Sequence, residues 1–298
     1  MMYKLKNCAL CGEEKELELS HIIPKMAVRK LKKTSIGNIR NLEEVNRPVQ
    51  DSEKHYMLCG DCEDLFSEKE TYFANHLFHP YLSSNKDEFE YDETLFYFLT
   101  SVSWRSLFLD LMDFVSNSVV GIDALEHLIS CEREMRDYLL GKRSDIGDIE
   151  HHILFFGEID KIYGEIEGLE RLKPHVVFHR GIFSYTFCNE EEKTYVTMTN
   201  MMGIILVTLY SRSKNEVWEN TQILNTKSNI KAKNQIVRSI VGGEIIEILE
   251  RVELSFNDMS ETQKEKIKKK LIEASHDKQD ADVFNDFIRD NNILNIIE

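Results

Sequence analysis

Apolar and polar positions change rhythm several times along the chain. Glu16-Leu17-Glu18-Leu19-Ser20-His21 alternates strictly. Leu17, Leu19 and His21 share one face, and Glu16, Glu18 and Ser20 the other, which is the period of a half-exposed strand. Pro24 ends it. Ala27 to Lys33 reads as a short basic helix, and His55-Tyr56-Met57-Leu58 as a second strand. From Cys62, the positions Leu65, Phe66, Tyr72, Phe73 and Leu77 keep helical spacing until Pro80 closes the helix. The acidic, polar stretch Ser83 to Asp92 predicts a domain boundary.

Beyond it, Asp92 is placed to cap a helix with Leu95, Phe98, Leu99, Val102 and Leu109 on its apolar stripe. Asp123 is placed to cap another, running to Leu140 before Gly141. His152 to Ile159, Val176 to His179, Ile182 to Cys188, Thr194 to Met201 and Ile204 to Tyr210 are rich in β-branched and aromatic residues and read as strands. Asn189 to Lys193 predicts a hairpin turn, hence an antiparallel sheet. Helices return at Ile236 to Val252, Ser260 to Ala274 and Asp280 to Ile297, with Ser260 and Gln263 spaced as a capping box.

The most apolar long run, Thr94 to Val115, contains Arg105, Asp110 and Asp113, so a buried helix is expected and no membrane span. The N-terminus shows no apolar signal core. A soluble, cytoplasmic protein is expected. Among the 298 residues, 37 basic and 52 acidic side chains give a formal charge of −15, which argues against a general nucleic-acid coat but not against a local basic patch.

Four of the six cysteines form two Cys-x-x-Cys knuckles, Cys8/Cys11 and Cys59/Cys62. Two knuckles offer four thiolates, the donor set of a structural Zn²⁺ site. Cys131 and Cys188 lie in apolar surroundings and read as buried free thiols. The predicted fold class is therefore α+β. A zinc-stapled ββα module at residues 1–82 precedes a mixed helical and antiparallel-sheet domain at residues 92–298, expected to sense, regulate or recruit.

Cys-x-x-Cys, a strand ending in His21-Ile22-Ile23-Pro24, and a second Cys-x-x-Cys opening a helix together resemble the HNH (ββα-metal) endonucleases. The resemblance covers roughly residues 5–75. It implies phosphodiester hydrolysis with His21 as general base, a task suited to imidazole, and a catalytic Mg²⁺ or Mn²⁺ beside the structural zinc. Three positions depart from the family pattern. Ser20 stands where an Asp or His normally binds the catalytic ion. Glu63 follows the second knuckle in place of His, and is the candidate ion ligand, with Glu18 in support. The middle Asn is missing, and His55 occupies the place of an orienting group.

Residues 25–47 hold seven basic against two acidic side chains. Lys25, Arg29, Lys32 and Lys33 fall near one helical face beside His21 and can grip phosphates without reading sequence. DNA is the expected partner, with a protein partner or a second copy engaged through the C-terminal domain. A small nuclease joined to an unrelated module resembles bacterial or phage defence effectors. The competing reading is a catalytically inactive zinc module that binds nucleic acid or protein. His151, His152, His175 and His179 are expected to be core or sheet-edge histidines.

Overall fold

The computed structural model describes residues 6–42, 44–84, 86–159, 161–163, 169–277 and 281–296. The short strands β1 (Lys6–Asn7) and β2 (Glu14–Lys15) pair antiparallel and turn the first knuckle between them. Strand β3 (Leu17–His21) leads through buried Ile22 and Ile23 into helix α1 (Lys25–Thr34), which buries Ala27, Val28 and Leu31. Strand β4 (Lys54–Cys59) returns antiparallel to β3, with His21 opposite Lys54 and Ser20 opposite His55. Helix α2 (Gly60–Phe73) follows directly, so Cys62 sits in its first turn. The order along this segment is thus β1, first knuckle, β2, β3, α1, β4, second knuckle and α2.

Pro80 does not stop this helix. A π-helical turn at Ala74–Phe78 widens the backbone, and helix α3 (His79–Ser84) continues through Pro80. An α-helical approach would drive the proline ring into the preceding turn; the wider turn relieves that clash. The expected polar connection also holds strand β5 (Glu88–Tyr91), in which Phe89 and Tyr91 face inward and Glu88 and Glu90 outward.

Helix α4 (Glu93–Asn117) is the central support. Asp92 caps it, accepting from the Thr94 N–H at 2.9 Å. Its apolar and hydroxyl residues are buried on nearly every side, as the continuous run requires. Helix α5 (Ile122–Leu139) packs along it, and Trp104 Nε1 donates to Glu132 Oε1 at 2.8 Å. Gly121, rather than Asp123, is the capping position of α5; its N–H donates to Glu190. Gly141, with φ +68°, turns the chain away after the helix.

The chain then builds β6 (Glu150–Phe155), β7 (Lys161–Tyr163), α6 (Leu169–Leu172), α7 (Pro174–His179), β8 (Ile182–Asn189), β9 (Thr194–Met201), β10 (Ile204–Ser211), β11 (Val217–Glu219), β12 (Gln222–Ile223), β13 (Ser228–Lys231) and β14 (Ile236–Arg238). Helices α8 (Ile240–Asn257), α9 (Glu261–Asp277) and α10 (Ala281–Asn292), then β15 (Leu294–Ile296), complete it. The main sheet has the order β12-β6-β10-β9-β8, antiparallel throughout. Ile204, Leu206 and Tyr210 join the core shared with α4, while Ile205, Val207 and Leu209 meet Val241, Ile248 and Leu249 of α8. Both faces are covered, so β9 is buried along its whole length, its threonines and Asn200 included, and β10 along all but its last residue. Strand β5 pairs with β13, and one apolar cluster runs from Cys8 and Leu31 to Leu206 and Ala232.

Val176 to His179, expected as a strand, is helical. Lys173 adopts φ +50°, Pro174 opens the turn, and Asp290 accepts from the His175 and Val176 amides at 2.7 and 3.2 Å. A distant carboxylate thus overrides local β-propensity. Ile236 lies in β14, and the helix expected from it starts at Ile240. The side chain of Gln263 binds Arg40 instead of completing a capping box. Glu43, and the expected helix ends Asp280 and Ile297, lie outside the described residues. No described helix is long and apolar enough to cross a membrane.

Candidate metal centre and the histidine at the far end of the hairpin

The first knuckle is shaped by its backbone. Cys8 N–H donates to Glu13 O and Gly12 N–H to Cys8 O, with Gly12 at φ +78°, where only glycine sits without strain. Ala9 N–H donates to Met57 O and ties this knuckle to β4. The Sγ atoms of Cys8, Cys11, Cys59 and Cys62 all lie within 4.8 Å of one another. Cys11 and Cys59 are 3.9 Å apart, against the edge of about 3.8 Å expected between thiolates of a tetrahedral zinc with ~2.3 Å bonds. Three of the four thiols are buried and Cys11 is half-buried.

Burial alone pushes the Cys8 thiol up, but backbone contacts with Cys11, Cys59 and Leu10 outweigh it and hold the thiol below its ordinary value. Burial, then the Cys59 side chain, drives Cys62 strongly upward. A cation that displaces the thiol protons would satisfy four sulfur donors held this close together. The donor set and spacing fit Zn²⁺. Cys131 and Cys188 stand apart as free thiols, both pushed up to about 12, chiefly by burial.

His21 closes β3 at the end of the hairpin away from the thiols, opposite Lys54 where Leu17 faces Cys59, with its ring 15% exposed. Its Nε2 lies 3.4 Å from Asp51 Oδ2, and the same oxygen accepts from Lys54 Nζ at 3.0 Å. Asp51 Oδ1 accepts from the Ser52 N–H at 3.1 Å. Burial raises the Asp51 carboxyl, but Lys54, the Ser52 amide and His21 outweigh it and hold the group down at about 2. The His21 carbonyl accepts from Arg105 Nη1 at 3.0 Å, so α4 fixes the strand end that carries the ring. His55 turns to Glu53 instead, at 2.7 Å, in an exposed pair.

The candidate ion ligands are dispersed. Ser20 is buried, and its Oγ accepts from the Leu58 N–H at 3.3 Å. Glu18 is exposed and lies over Gly60, with Oε1 3.1 Å from where a Cβ would stand. Glu63 Oε1 is shut off from solvent with no hydrogen-bond partner. Among the described residues, the four thiols are the one group of three or more His, Cys, Asp or Glu donors gathered within reach of a single ion. His21, Glu18 and Glu63 do not converge in that way, so they do not make a three-donor site for a second metal.

Lys25, Arg29, Lys32 and Lys33 are all exposed on α1, and none has an ion-pair partner among the described residues. The core histidines behave as expected. His151 bonds Thr100 Oγ1 at 2.9 Å and Thr208 Oγ1 at 2.8 Å, and burial lowers it to about 3. His152 meets Thr221 and Glu150, while His175 and His179 meet Asp290 and Asp286.

Asp51 and Arg105 are the neighbours of His21 that sequence reasoning missed. Asp51 sits in an irregular loop 30 residues from His21, where no periodicity reaches. Arg105 was visible only as a charge interrupting an apolar run. The chain matches no protein-family model, no curated protein and no solved structure.

Proposed function

We propose that the N-terminal module is an HNH-like, metal-dependent endonuclease that hydrolyses phosphodiester bonds in DNA. The observation that carries this reading is the pairing of a partly exposed His21 with Asp51, beside a helix of unpaired cations. With Nε2–H donated to Asp51, Nδ1 keeps the lone pair. It removes a proton from water, the resulting hydroxide attacks phosphorus, and the P–O ester bond breaks, leaving charge on the departing oxygen. Asp51 holds the ring's tautomer and direction and is a positioning residue. Lys25, Arg29, Lys32 and Lys33 draw the backbone to the ring.

Mg²⁺ or Mn²⁺ enters as the cation that neutralises phosphate charge in this reaction class. Glu63 is the ligand that the family pattern implies, and its Oε1 is shut off from solvent without a hydrogen-bond partner. No step is assigned through it, because the described residues do not supply a three-donor set. A role in bacterial or phage defence rests on the layout of the chain alone.

The inward-turned hydroxyl of Ser20 favours a second reading, a zinc module that binds nucleic acid or protein without cutting. Incubation with supercoiled plasmid and Mg²⁺ or Mn²⁺ separates the two. The nuclease reading expects nicking by the wild type and none by His21→Ala. Salt-dependent binding without nicking by either leaves the binding module.

A further inference from the structure

We propose that α9 extends the basic surface of α1, so that the C-terminal helices hold DNA by its phosphates at the N-terminal site. The proposal rests on the nucleic-acid reading above but concerns a part of the chain that the family resemblance does not reach.

Helix α9 lies along the loop that follows α1. Gln263 Oε1 accepts from Arg40 Nη2 at 2.8 Å, and the Ser260 N–H donates to Asn46 Oδ1 at 3.0 Å. The Lys270 side chain covers Gly37, with Cδ 3.5 Å from where a Cβ would stand. Gly37 comes shortly after the last turn of α1, which carries Lys32 and Lys33. The lysine-rich part of α9 therefore ends beside the C-terminal end of α1. This juxtaposition of α1 with the lysine-rich middle of α9, distant in sequence, is the observation.

The charges are also unspent. On α9, Lys264 pairs with Glu261 and Lys269 with Glu273. Lys266, Lys268 and Lys270 are exposed and have no ion-pair partner among the described residues. Lys25, Arg29, Lys32 and Lys33 are in the same condition on α1. Carboxylates outnumber cations in this chain, 52 to 37, so partners for these side chains were available in composition and are absent in space. Adjoining like charges repel, and a polyanion relieves that repulsion while releasing its own counterions. Lysines act as mobile point charges, so the contact is to phosphate and independent of sequence.

The test uses the full chain with His21→Ala, which blocks cutting, and a 30-base-pair duplex followed by fluorescence anisotropy over a range of KCl. The variant Lys266→Gln/Lys268→Gln/Lys270→Gln should lower the slope of log affinity against log salt by roughly 1.8, about 0.9 for each of Lys266 and Lys270, which share the face turned to α1, and weaken binding at 150 mM by roughly thirtyfold. Arg29→Gln/Lys32→Gln/Lys33→Gln should do the same from α1. Lys270→Gln alone, at the lysine that covers Gly37, should lower the slope by about 0.9 and guards against a triple variant that fails to fold. DNA binding unchanged by the α9 variants but weakened by the α1 variant overturns the proposal and leaves the phosphodiester reading intact. No salt-dependent binding by the parent chain overturns both. Loss of self-association, rather than of DNA binding, in the α9 triple overturns the proposal in favour of a second copy as occupant.

Discussion

Arg105 Nη1 donates to the carbonyl oxygen of His21 at 3.0 Å, joining the central helix to the strand end that carries the proposed base. The same guanidinium donates to Glu70 Oε1 at 2.9 Å and to Ser101 O at 3.2 Å, and lies 5.3 Å from the Phe66 ring. Arg105 is 1% exposed. Removing it strands the Glu70 carboxylate and frees the His21 backbone. Arg105→Ala is expected to destabilise the fold by about 3–5 kcal/mol, read from urea unfolding. Arg105→Lys keeps the charge but not the fork and should fall between Ala and wild type. Wild-type stability in Arg105→Ala would show that the contact is incidental.

The four-thiol cluster predicts a single bound Zn²⁺ per chain by elemental analysis. Cys59→Ser should lose the metal and several kcal/mol of stability, because structural zinc binding is folding free energy. Chelation of the wild type should lower its melting temperature to match. A metal-free protein that melts unchanged would leave the cysteines as ordinary core residues.

Asp51→Asn removes the charge that faces His21 while keeping the shape. We expect kcat for DNA cleavage to fall on the order of 10-fold to 100-fold, part of the 10²–10⁴ that a general base contributes, with KM little changed. The carboxyl of Asp51 is held at about 2, below its ordinary 3.8. Its stabilisation is therefore present above about pH 4 and is lost as pH falls toward 2. The Asn variant should be less stable than wild type at pH 7 and should lose that difference in acid. A drop in KM alone, or no kinetic change, would deny Asp51 the positioning role.

Asp110 gives the opposite sign. Burial raises its carboxyl from 3.8 to about 6, even though the Thr186 N–H donates to it at 2.6 Å. A group raised on folding contributes fully below about pH 4 and loses that contribution as pH rises through about 6. Asp110→Asn keeps an acceptor for Thr186 and should stabilise the protein at pH 8 by up to about 3 kcal/mol, with no gain at pH 4. Denaturant midpoints at the two pH values check this. Destabilisation at pH 8 would mean the charge is better solvated than its burial implies.

The sequence was most legible where one periodicity decides the outcome. β3, α1, β9 and β10 fall close to their expected limits, because alternation, helical spacing and β-branched density each point one way. The gathering of the four thiols was legible from spacing alone. What escaped depended on distant partners. Asp290, more than a hundred residues away, turns Val176 to His179 into a helix. β5 was hidden by its acidic letters, though Phe89 and Tyr91 alternate as a strand requires. Near His21 the limits are the same: strand and knuckles could be read, whereas Asp51 and Arg105 reach the ring and its backbone only through tertiary folding.

The central claim is that the His21 imidazole takes the proton from water. Single-turnover cleavage of a labelled duplex by His21→Ala, with and without added imidazole, tests it most directly. The account predicts a loss of roughly 10²–10⁴ in rate, the usual share of a general base, and partial recovery as imidazole enters the vacated space. Cleavage by His21→Ala at the wild-type rate, without imidazole, would contradict it.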